Sequence, residues 1–172
     1  MRESCLIRLR PAPLSDENAE TAAVSWLSSG LAARHGTLGE AAADAQGRRI
    51  VVVVPGQDVL LTAAVVPSRN RQRIVEALPY ILEDQLASDV DELHFAVGAR
   101  VRDGTVPAAV VAHERMAHWL AQLRSVGIDP DELVRRAGLG RRRLHLPHRL
   151  SNVREQSRLR RPPAAPVAQR VT

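Results

Sequence analysis

Five consecutive residues, Ile50-Val-Val-Val-Val54, limit the folds open to this chain more than any other stretch. β-Branched side chains crowd a helix and suit a pleated surface, so the run predicts a strand. No polar residue interrupts it, so both faces of that strand are expected to be covered. A strand of that kind lies inside a sheet with other layers packed on it.

The flanking sequence supplies those layers. Cys5-Leu-Ile-Arg-Leu-Arg10 reads as a strand ended by Pro11 and Pro13, and Thr21 to Leu27 as a second, turning out at Ser28-Ser-Gly30. Leu38 to Gln46 is alanine-rich and helical by propensity, with Gly47 as its stop. Pro55-Gly56 turns the chain, and Val59 to Val66 returns as an apolar strand. Ser68 is a candidate N-cap for a helix whose stripe is Ile74, Leu78, Ile81, Leu82 and Leu86. Pro79 inside that pattern removes the bond to the Val75 carbonyl, so a kink or restart is expected there. Leu93, Phe95, Val97, Ala99 and Val101 alternate as a strand, Asp103-Gly104 turns, and Val106 to Ala112 pairs back. A last helix from Glu114 to Val126 buries Met116, Trp119, Leu120 and Leu123 and is capped by Gly127. Alternating strands and helices predict an α/β body over residues 1–134.

Beyond Val134 the pattern fails. Through Val134 there are 13 arginines against 18 acids, a net −5; from Arg135 onward there are 11 arginines against Glu155 alone, a net +10. Residues 135–172, rich in Arg and Pro and without periodicity, are expected to be disordered. So abrupt a change in a chain whose basic residues are all arginine suggests that this tail is out of frame or otherwise not native to the domain. The tail offers phosphates an electrostatic attraction but no aromatic side chains for stacking, so no specific nucleic acid is expected as a partner.

Composition removes several chemistries. Without lysine the chain has neither a Walker A phosphate loop nor a pyridoxal Schiff base. One cysteine, Cys5, excludes an intrachain disulfide, and its apolar setting predicts a buried, inert thiol. His113-Glu114 with His118 resembles a zinc-protease helix, but histidines five apart diverge by about 140° on a helix and share no metal. His145 and His148 lack a nearby carboxylate or thiolate, and Gly138-Leu-Gly140 follows no strand. Catalytic residues, cofactors and metals are therefore all expected to be absent. No apolar window is long enough for a membrane span and no secretory leader is evident, which predicts a cytoplasmic chain.

The string Ala77-Leu-Pro-Tyr-Ile-Leu-Glu-Asp-Gln-Leu-Ala87 is the most distinctive in the chain. Together with Ile50 to Leu61, Asp91-Glu-Leu-His-Phe-Ala96 and Trp119 to Val134, it resembles the cytoplasmic domain of the type II secretion system inner-membrane protein L. The resemblance implies a ribonuclease-H-like, actin-like mixed sheet with helices, cut short after about Val134. It also implies a non-enzymatic scaffold that docks the secretion ATPase, protein E, through that protein's N-terminal domain. In the full-length family a membrane helix and a periplasmic module join the domain to protein M and the other platform proteins, and homodimerisation is a further expectation. Nucleotide-binding actin-like proteins carry an Asp-x-Gly turn after the first strand; here that place holds Arg10-Pro-Ala-Pro-Leu14. An ATP-binding actin-like pilus-assembly protein and a basic-tail nucleic-acid binder are the alternatives.

With no catalytic constellation, interest falls on the acids that flank the distinctive string. Glu83, Asp84, Asp89, Asp91 and Glu92 are candidates for contact with a basic partner patch. Glu83 and Asp84 equally suit a role in capping or orienting the helix.

Overall fold

The structure, a computed structural model, describes residues 3–14, 21–28, 32–135 and 145–146. Its elements are β1 (Ser4–Arg8), β2 (Ala23–Ser28), β3 (Arg34–Thr37), α1 (Leu38–Ala45), β4 (Arg49–Val54) and β5 (Leu60–Val65). They continue with α2 (Arg71–Leu82), β6 (Leu93–Val97), β7 (Thr105–Ala112), α3 (His113–Ser125), β8 (Glu132–Arg135) and β9 (His145–Leu146). The mixed α/β architecture expected from the sequence is the one found.

Two sheets result. The larger runs β3-β2-β1-β4-β8-β9, and the smaller runs β5-β7-β6. β1, β2 and β3 form an antiparallel meander, while β4 lies parallel to β1 on one edge and to β8 on the other. Ile7 stands beside both Trp26 and Val52, so one face of the large sheet collects Cys5, Ile7, Trp26, Val52 and Leu133. Leu38 and Ala41 of α1 and Trp119, Leu120 and Leu123 of α3 belong to the same core.

The opposite face differs from the expectation for Ile50–Val54. Val52 and Val54 are buried, but Val51 and Val53 are only half-buried, and Leu6 and Leu27 beside them are 39% and 40% exposed. An unbroken β-branched run reports strand propensity, and it does not guarantee a second covering layer among the described residues.

A capping box starts α1: the Glu40 N–H donates to Thr37 Oγ1 at 3.2 Å and the Thr37 N–H donates to Glu40 Oε2 at 2.7 Å. Gly47, at φ 72°, ends it as the sequence indicates. Across the α1 face the buried Trp26 needs a partner for its indole N–H, and Asp44 Oδ2 accepts it at 2.7 Å. Arg34 donates to the same oxygen at 2.5 Å and lies 5.4 Å over the Trp26 ring. This clamp ties β2, β3 and α1 together, and the indole hydrogen bond, followed by the Arg34 charge, holds the Asp44 carboxyl below its ordinary value.

The small sheet is a two-sided element. Ala96, Ala109 and Val111 face the first core, while Ala64, Val97, Val106 and Ala108 pack under Ile74, Leu78 and Leu82 of α2. Several contacts differ from the sequence reading. Asn70, not Ser68, caps α2: its Oδ1 accepts the N–H groups of Gln72 and Arg73, and Ser68 Oγ supports the Asn70 N–H. α2 does not restart at Pro79; it continues to Leu82 before tightening into a 3-10 turn at Glu83–Gln85. Ile81 leaves the core, being 37% exposed. At 100° per residue it lies roughly 60° off the centre of the Ile74–Leu78–Leu82 row.

β6 stops at Val97 rather than Val101. The Pro107 carbonyl accepts the Gly98 N–H at 2.8 Å, but Pro107 has no N–H to return, so the ladder loses a rung there. The chain from Gly98 onward is drawn instead to Arg100, whose guanidinium reaches the Val66, Ser68 and Gly104 carbonyls. Asp103-Gly104 does form the turn, with Gly104 at φ 88°.

α3 ends in a Schellman arrangement. Ile128 N–H reaches Leu123 O at 2.8 Å and Gly127 N–H reaches Arg124 O at 3.0 Å, with Gly127 at φ 77° and both Ile128 and Leu123 buried. This turn delivers β8 to the edge of β4, where Asp131 Oδ2 accepts the Ile50 N–H and Arg49 pairs with Glu132 at 2.9 Å. Arg135 thus belongs to β8 rather than to an irregular tail, and His145–Leu146 pair antiparallel with Leu133 and Val134. The rest of the 135–172 stretch, expected to be disordered or out of frame, lies outside the described residues.

The register of α2 has a direct consequence. Leu78→Ala is expected to cost about 2–5 kcal/mol in urea unfolding, whereas Tyr80→Ala, at a site 56% exposed, stays within roughly 0.5 kcal/mol. Asp44 sets a pH signature, because its folded value lies below the ordinary 3.8. Its contribution is complete above that ordinary value and disappears as pH falls through the lower folded one. Asp44→Asn is therefore expected to melt below wild type at pH 7, with the gap closing as pH falls below the ordinary aspartate value and through the lower folded one.

Candidate partner surface

α2 and β6 place the acidic residues. Glu83 and Asp84 form the 3-10 turn that ends α2, where the Leu86 N–H closes on the Glu83 carbonyl at 3.1 Å. Asp89, Asp91 and Glu92 surround a second 3-10 turn, Val90–Glu92, that leads into β6. All five side chains are exposed.

Their roles separate on inspection of partners. Asp89 Oδ1 accepts the Asp91 N–H at 2.9 Å and its carbonyl accepts the Glu92 N–H at 3.0 Å, so Asp89 shapes the turn. Glu83, Asp84 and Glu92 make no side-chain hydrogen bond or ion pair among the described residues. The capping role that suited Glu83 and Asp84 equally well is not the one seen, since neither side chain caps α2. Acids at a helix C-terminus also oppose the macrodipole. These carboxylates contribute nothing evident to their own fold.

Leu86, Ala87 and Ser88 link the two acidic turns and line an open cavity of about 550 Å3. Its other walls are the Gly56–Leu61 stretch, the start of β6, the end of β7 and Arg135. Arg135 Nε donates to the Gly56 carbonyl at 3.0 Å, and Asp58 lies 3.9 Å from Arg115. Among the described residues no histidine lines the cavity and the Ser88 side chain makes no hydrogen bond to a base, so the lining shows no nucleophile–base pair.

Beside the acids stand two apolar side chains that the sequence reading placed otherwise or passed over. Tyr80 is 56% exposed and points roughly 160° away from the centre of the buried row of α2. Ile81, expected in the core, is the second. Counting helix angles from Leu78 instead of marking every apolar residue was the signal available for both. The cavity itself had no such signal, because residues 56–61, 86–93 and 135 meet only through the topology.

The remaining candidates are placed plainly. Cys5 is fully buried with Ser28 Oγ 3.9 Å from its Sγ, and burial pushes its thiol up, away from reactivity. His113 opens α3 and stacks edge-on with His94 at 6.1 Å, an encounter between β6 and α3 that spacing did not suggest. His118 lies on the same helix as His113, and among the described residues no three His, Cys, Asp or Glu side chains gather to hold a metal ion.

Comparison with known proteins decides the family. The type II secretion system protein L family matches residues 19–137. The chain belongs to that family. It is 43% identical over 84 residues to type II secretion system protein L of Pectobacterium carotovorum subsp. carotovorum, covering 48% of this chain and 19% of that protein. It is 33% identical over 107 residues to protein L of Vibrio cholerae serotype O1, covering 60% of this chain and 25% of that one. The chain thus spans a quarter or less of these relatives. Among solved structures, the cytoplasmic domain of EpsL, an inner-membrane component of the Vibrio cholerae type II secretion system, superposes with a TM-score of 0.61 and 27% identity. That match covers 76% of this chain and 56% of the EpsL domain. No helix among the described residues is long and apolar enough to cross a membrane.

Proposed function

We propose that this protein L body is a non-enzymatic, cytoplasm-facing docking module of the secretion platform. Its partner is the N-terminal domain of the secretion ATPase, protein E. Family membership supports the platform setting, and the observation that carries the surface is the unpaired state of Glu83, Asp84 and Glu92 beside exposed Tyr80 and Ile81. An apolar contact ringed by free charge is the composition of a specific protein interface, and the acids give a basic partner its steering field. Protein M and the other platform proteins are assigned to parts of the family's chain beyond this body.

The scaffold reading is favoured over ATP use by the exit of β1. Phosphate cradles are built from backbone N–H groups, and Pro11 and Pro13 remove two of them where an actin-like nucleotide site would begin.

The test is a titration of the full chain with the ATPase N-terminal domain. Glu83→Arg with Asp84→Arg is expected to weaken binding by tenfold or more, mostly through slower association at low salt. Tyr80→Ala is expected to weaken it through faster dissociation. Binding unchanged in both variants contradicts the assignment of this surface.

A further inference from the structure

The other end of α2 carries a second cavity, about 310 Å3, that the docking surface does not touch. Arg69, Arg71 and Arg100 line it, over a floor that includes Ile74, Val97 and Gly98. Three arginines therefore line one small concavity, and among the described residues its lining contains no carboxylate.

Two of the three are held in place. Arg71 Nη2 donates to the Val97 carbonyl at 3.3 Å; Arg100 donates to the Val66 carbonyl at 2.5 Å, to the Gly104 carbonyl at 2.6 Å and to the Ser68 carbonyl. A carbonyl satisfies an N–H donor but leaves the positive charge whole. Arg69 makes no hydrogen bond or ion pair among the described residues, so its planar fork is free. The acid next in sequence, Asp103, is engaged by the N–H and hydroxyl of Thr105.

The helix reinforces the field. Arg71 and Arg73 occupy the first turn of α2 with no acid there, and the Asn70 cap covers only the Gln72 and Arg73 N–H groups. Basic residues at a helix N-terminus oppose the macrodipole, and each such charge lowers stability until an anion arrives.

We propose that this cavity binds a phosphate-bearing ligand. Guanidinium forks pair with phosphate oxygens in two-point contacts, and a multiply charged anion offsets three cations where a single carboxylate does not. The volume exceeds one phosphate group, leaving Ile74 and Val97 to contact an adjoining apolar portion. A diphosphate in solution and the headgroup of an anionic phospholipid present the same chemistry.

Because the tail is itself rich in arginine, the experiment compares charge-matched variants of the full chain: wild type, Arg69→Gln and Arg158→Gln. Each is titrated calorimetrically with inorganic pyrophosphate and sedimented with phosphatidylcholine vesicles containing phosphatidylglycerol. Arg69→Gln is expected to bind roughly tenfold more weakly than wild type while melting at the same temperature; Arg158→Gln binds as wild type does. Loss in the pyrophosphate arm identifies a soluble phosphate ligand, and loss in the vesicle arm alone identifies a lipid headgroup. Equal effects of the two substitutions, no effect of Arg69→Gln in either arm, or no binding of either probe overturns the proposal.

Discussion

The parallel pairing of β4 on both edges is the constraint from which the rest of the body follows. Parallel neighbours cannot be joined by a tight hairpin, so the chain leaving Val54 must depart from the sheet before it returns as β8. The excursion, residues 55–131, is long enough to build a second sheet and two helices. α3 brings it back and seals the core with Trp119, Leu120 and Leu123, and the Schellman turn at Gly127 sets the direction of β8. The candidate partner surface and the arginine-lined cavity both sit on this excursion, so the large sheet serves as its foundation.

α2 shows which effects win within the excursion. Its charges are arranged against its own dipole, with arginines at the start and acids at the end, each worth at most about 1 kcal/mol when exposed. Burial of Leu78 and Leu82 stabilises by about 1.5–3 kcal/mol apiece, which is enough to hold the helix in place despite its charges. Packing fixes where α2 lies, and its charged ends contribute little to holding it there.

Much of this was legible in the residues because local chemistry and tertiary structure agree. The Ile50–Val54 run, the 74–78–82 row, the Asp103-Gly104 turn and the Gly127 stop each state their element locally. β3 and β8 were missed for a common reason: Arg34-His-Gly-Thr37 and Glu132-Leu-Val-Arg135 are short and polar, and their strand form is supplied by β2 and β4 alongside. The early end of β6 was also hidden, since it is caused by a proline on the neighbouring strand. At the candidate surface the acids could be named from sequence, but that Glu83, Asp84 and Glu92 lack side-chain partners among the described residues required coordinates. The arginines at 69, 71 and 100 converge only because β6 and the start of α2 end side by side, so no spacing rule gathers them.

We place the proposed docking surface on the α2–β6 side of the excursion and not on the half-covered face of the large sheet. Hydrogen–deuterium exchange of the full chain, with and without the N-terminal domain of the secretion ATPase, reads this directly. Slowed exchange concentrated in residues 80–93 is expected of a docking surface on that side. Slowed exchange confined to β1 and β2, around Leu6 and Leu27, contradicts it.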